Sequence, residues 1–185
     1  PHSISANVFG GAVPTWRESP DQEAVPFSVV EVLKNLLADL SQQKVERVSL
    51  RVPVPQALWP VFCSRRDASR MLKVLIEEAL KELKEEYQTR KRDVSKEKLL
   101  INVANRRLKE KEGSGCYVEV EFCASSSWLY HWWSEPESEQ ERLNLIVVLG
   151  LAQRNGCRIV CEPLKGDGSR VCLFFPGDKV FRWRS

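Results

Sequence analysis

Apolar residues fall at helical spacing in three stretches of the chain and alternate in several others. From Pro26 to Leu40 (PFSVVEVLKNLLADL), Val29, Val32, Leu33, Leu36, Leu37 and Leu40 recur with the helical period, and Ser28 followed by Glu31 makes a capping box. Asp67 to Tyr87 holds the strongest pattern: Met71, Leu72, Leu75, Ile76, Ala79, Leu80 and Leu83 form one apolar face, with Asp67 or Ser69 as the cap. Leu143 to Arg154 (LNLIVVLGLAQR) predicts a third helix, stopped by Asn155-Gly156. Between these, Lys44 to Val54 alternates as a strand. Lys98 to Ala104 and Cys116 to Cys123 predict a hairpin around the polar turn NRRLKEKEGSG, and Arg158 to Glu162 and Arg170 to Phe175 predict a closing hairpin around LKGDGS. Ala124 to Glu141 has no period and is expected to be irregular.

The order is helix, strand, helix, two strands, loop, helix, two strands. It predicts an α+β two-layer sandwich, with helices on one face of a mixed, mostly antiparallel sheet. Residues 1–24 carry Gly, Pro and Ser without periodicity and are expected to form a flexible arm or linker; residues 25–185 are expected to form the domain.

Composition narrows the function classes. The 185 residues are 43% hydrophobic and 29% charged, ordinary for a globular protein, and no apolar run approaches the roughly 20 residues of a membrane-spanning helix. A net charge of +3 is too mild to argue for nucleic acid, although Arg90, Lys91, Arg92, Arg106 and Arg107 cluster in the chain. The six cysteines show no CxxC spacing, so no metal site is expected; reduced thiols in an intracellular, reducing compartment are the simpler reading. No Ser-His-Asp or Cys-His arrangement is legible, and Glu77 and Glu78 are adjacent on a helix and point to different faces.

Three stretches carry a resemblance. DASRMLKVLIEEAL, VEVEFCASSSW and ERLNLIVVLGLAQRNGCRIVCEPLKGDGSRVCLFFPG follow one another as do the motifs of the histidine-kinase-type ATP-binding domain, of the GHKL superfamily. The first resembles the helix on which that family carries an Asn that holds Mg²⁺ against the phosphates. Asp67 and Ala79 match; the Asn position falls on Glu78, and the preceding polar position on Val74. The second resembles the strand that delivers an Asp, which reads the adenine amino group, and two glycines. These fall on Ala124, Ser126 and Trp128. In the third, Gly166-Asp-Gly168-Ser169 and Phe175-Pro176 match the closing strands, Leu143 and Leu145 keep the packing leucines, and Asn144 stands where a phosphate-cradling glycine would be.

The resemblance thus implies a fold kept for packing and changed wherever nucleotide would be touched. Alanine cannot accept the adenine hydrogen bond, Glu78 adds negative charge beside a triphosphate, and a phosphate site needs free backbone N–H groups and close approach. No cofactor and no catalytic residue are expected. The aromatic run Trp128, Tyr130, Trp132 and Trp133 is expected to pack over the sheet in the space a nucleotide would take, or to dock a protein partner. The expected function is a non-enzymatic interaction or regulatory module in two-component-type signalling or a larger assembly, with a homodimer among the arrangements considered. The alternatives are a phosphotransfer adaptor that docks a response regulator and a divergent ATP-binding kinase domain.

Overall fold

The computed structural model describes residues 25–41, 48–51, 57–90, 99–110, 113–124, 128–164 and 168–177. The expected arm at 1–24 lies outside them, as do Ser126, Lys91 and Arg92. Helix α1 runs Val29–Ser41, β1 Val48–Arg51, α2 Arg65–Arg90, β2 Leu99–Glu110, β3 Gly113–Ala124, α3 Trp128–Ser134, α4 Glu139–Arg154, β4 Arg158–Pro163 and β5 Ser169–Pro176.

The five strands form one sheet in the order β1-β2-β3-β5-β4. β1 pairs with β2 in parallel and every other pairing is antiparallel. The two-layer α+β sandwich expected from the sequence is therefore present. Register puts Ile101 opposite Phe122 and Val120 opposite Leu173, so Ile101, Val103, Val118, Val120, Phe122, Val171, Leu173 and Phe175 share one face. All eight are buried, with the apolar faces of α1 and α2 in the same core. Burying such side chains is worth about 1.5–3 kcal/mol each, which is why a period of two in the strands and 3.6 in the helices converges on one layer. The opposite face of the sheet carries charge: Arg106 pairs with Glu119, and Arg170 with both Glu121 and Glu162. Arg158 lies 5.5 Å over the Tyr117 ring.

Four local expectations need correction. The first hairpin is longer than its apolar pattern: β2 and β3 stay paired out to Glu110 opposite Gly113, so most of the presumed turn is strand. Charged residues are tolerated there because the ladder bonds are backbone bonds and one face is open. Helix α2 begins earlier than expected and is capped by Ser64, whose Oγ accepts from the Asp67 amide at 3.3 Å. That leaves Asp67 in the first turn, free to bond elsewhere. Helix α4 begins at Glu139, a turn before its apolar run, because Ser138 and Glu141 form a capping box. Finally, α3 occupies part of the stretch expected to be irregular.

Candidate functional site

Helices α2 and α4 lie side by side, antiparallel, and three polar ties join them along their length. At one end the Asp67 carboxylate accepts from Arg154 Nη2 at 2.7 Å, from Arg154 Nε at 3.2 Å and from Asn155 Nδ2 at 2.8 Å. Asn155 also accepts the Ser64 amide at 2.9 Å and donates to the Leu151 carbonyl at 2.8 Å. In the middle, Asn144 Nδ2 donates to Glu78 Oε1 at 2.5 Å, while Asn144 Oδ1 accepts from Gln140. Toward the far end, Lys81 Nζ donates to Glu141 Oε1 at 2.7 Å.

Burial and charge set the electrostatics of this seam. Burial alone would raise the Asp67 pKa, but the hydrogen bonds from Asn155 and Arg154, with the Arg154 charge, bring it below the ordinary value. The Glu141 pKa is also lowered, first by the bond from Lys81, against a smaller opposing effect of burial, and further by the Ser138 and Glu137 amides. Those amides matter for ligand chemistry. Glu141 Oε2 accepts both, and Ser138 Oγ accepts the Glu141 amide, so the start of α4 has supplied its own acceptors. A helix N-terminus that already caps its Glu141 amide and carries a buried carboxylate is a poor seat for a phosphate.

The other positions singled out by the resemblance, among the described residues, lie on α2, β3 and α3. Val74 is half-buried on α2, a turn before Glu78. Ala124 ends β3 and is 6% exposed, paired with the fully buried Ser169. A side chain on Gly168 would meet the Ala124 carbonyl at 3.2 Å, so the glycine of the closing turn serves backbone packing against β3. Trp128 opens α3.

Helix α3 packs on β4 and β5 and divides the aromatic residues. Leu129 and Trp132 join the core at 0% and 5% exposure. Trp132 is thus a packing residue, which takes it off the surface where a partner would dock. Its indole N–H is buried and has no acceptor among the described residues. Tyr130 and Trp133 are half-buried against the core, the Trp133 ring edge-on to Trp132 at 6.4 Å. His131 is exposed. Beneath α3 the Cys161 thiol donates to the Leu129 carbonyl at 3.8 Å, and burial pushes its pKa up to about 12. On the opposite sheet face Cys123 is pushed up to about 11, again chiefly by burial. Neither is a poised nucleophile.

Solved structures of similar shape decide the fold. The chain superposes on the catalytic domain of histidine kinase ThkA with a TM-score of 0.58, at 14% identity, over 84% of this chain and 97% of that one. The ATP-binding domain of PrrB from Mycobacterium tuberculosis gives a TM-score of 0.52 at 16% identity, over 85% and 100%. Full-length ShkA in complex with AMPPNP gives 0.55 at 13% identity, over 85% of this chain and 32% of that one. The fold is that of a histidine-kinase ATP-binding domain. No protein-family model matches the sequence, and no curated protein matches it. Glu78 lies on α2 and Asn144 on α4. Proximity of those two residues, and the ties at Asp67 and Lys81, were not legible in the sequence.

Among the described residues no helix is long and apolar enough to cross a membrane.

Proposed function

We propose that the protein is a non-catalytic histidine-kinase-like module, which keeps the ATP-binding fold as a scaffold for contacts with other proteins. The hydrogen bond between Asn144 and Glu78 carries this reading. The resemblance aligns Glu78 with the Asn that holds Mg²⁺ and Asn144 with a phosphate-cradling glycine. Here the two side chains bond each other and span the gap between α2 and α4. A magnesium triphosphate entering there would have to break that bond and meet the Glu78 carboxylate against its own phosphate charge, while the neighbouring Glu141 is already paired with Lys81. The adenine end has no acceptor at Ala124. The residues present do not fit the nucleotide.

The partner-binding role falls on the exposed parts of Tyr130 and Trp133, since aromatic side chains with one free edge are favoured at protein interfaces. Isothermal titration of the full chain with Mg²⁺-ATP and Mg²⁺-ADP tests the proposal. No saturable heat is expected up to about 1 mM nucleotide. Micromolar affinity would overturn it in favour of a divergent ATP-binding kinase domain, the reading the three kinase structures favour by shape.

A further inference from the structure

Helix α4 turns two unlike faces outward and inward. Glu141, Val148, Leu151 and Ala152 are buried toward α2 and the sheet. On the opposite side Glu139, Leu143, Ile146, Gly150 and Arg154 are all exposed, Leu143 by 50% and Ile146 by 63%. At about 100° per residue these five positions fall in one stripe about 80° wide. Gly150 sits in its middle. A glycine inside a helix is less stabilising than alanine. Nothing among the described residues explains it: a Cβ there would meet nothing within 4 Å, and its φ is not positive. The result is a notch in an apolar, solvent-facing stripe.

We propose that this stripe is a two-fold interface in which α4 packs antiparallel against α4 of a second copy of the chain. Helical spacing makes the stripe complementary to itself in that direction. With the axis between Ile146 and Val147, Leu143 faces the partner's Gly150, a bulky side chain into the notch, and Glu139 faces the partner's Arg154. Symmetry makes each contact twice. Arg154 can serve both roles: its side chain is 66% exposed while bonded to Asp67 through Nε and Nη2, which leaves Nη1. A parallel pairing would instead set Leu143 on Leu143, notch on notch, and like charge on like charge at both ends. The charge and size pattern therefore selects the antiparallel dimer over the parallel one. This inference is independent of whether nucleotide binds.

Sedimentation equilibrium of the full chain, from about 1 to about 100 µM, tests it. The mass should rise to twice the monomer value across that range. Gly150→Leu fills the notch without touching the subunit's own packing, so it should keep or raise the melting temperature and weaken the dimer at least about tenfold. Ile146→Glu should do the same through the apolar contact. Glu139→Lys should weaken association in low salt, and the difference from the parent should shrink as salt rises. A monomer at every concentration, or a dimer unchanged by Gly150→Leu and Ile146→Glu, overturns the proposal.

Discussion

The bond between α2 and α4 makes an asymmetric prediction. Glu78 is 7% exposed, and among the described residues its one hydrogen bond is the donation from Asn144. Asn144→Ala strands a buried carboxylate and should cost about 2–3 kcal/mol, since an ionised group left unsatisfied loses more than an average bond is worth. For a chain of this length that lowers the melting temperature by about 4–12 °C. Glu78→Ala should cost about 1 kcal/mol, because Asn144 is half-buried and keeps its bond from Gln140. The double alanine variant should cost less than the sum of the two, with a coupling of about 1–2 kcal/mol. Replacing both by leucine should come within about 1 kcal/mol of the parent or exceed it, since a buried polar pair exchanged for apolar contact is often neutral. Urea denaturation at pH 7 with unchanged m-values would measure all four. The reasoning fails if Asn144→Ala lies within about 0.5 kcal/mol of the parent, or if the two single effects simply add.

Two further predictions concern the same helices and the ring beside them. Asp67 and Glu141 both have folded pKa values below their ordinary ones, so each contributes stability that is present above the unfolded carboxylate pKa and lost as pH falls through the folded value. Asp67→Asn and Glu141→Gln should therefore destabilise at pH 7, and the gap from the parent should close in acid below about pH 4. A gap that widens in acid would contradict the assigned ties. Trp132→Phe removes the buried N–H that has no acceptor among the described residues, offsetting part of the lost ring, and should cost under about 1 kcal/mol against about 3–5 for Trp132→Ala. Equal costs for the two, measured by chemical denaturation, would mean that the N–H is bonded.

The legible parts of this molecule are those in which one face of one element meets the core. Val29, Val32 and Leu33 on α1, and Met71, Leu72, Leu75 and Ile76 on α2, could be read directly because each repeats with its element's own period and each is buried. The outer ends of β2 and β3 were missed because Arg106 to Glu110 carries no apolar alternation; backbone pairing alone extends them. Helix α3 was missed for a related reason. Seven residues are too few to establish a period, and the helix exists because Leu129 and Trp132 find room on β4 and β5.

The site divides in the same way. The resemblance singled out Glu78, Ala124 and Asn144 one by one, since each can be set against a motif by local spacing. That Asn144 donates to Glu78, 66 positions away on another helix, was not legible there. Nor was the division of the aromatic run into Trp132 inside and Tyr130 and Trp133 at the rim. Periodicity reports which way a side chain points relative to its own element, and so it determines the elements, the core and the general architecture. Which polar groups then meet depends on the register of one helix against another. That register is set by packing over the whole sheet, and the folded structure alone decides it.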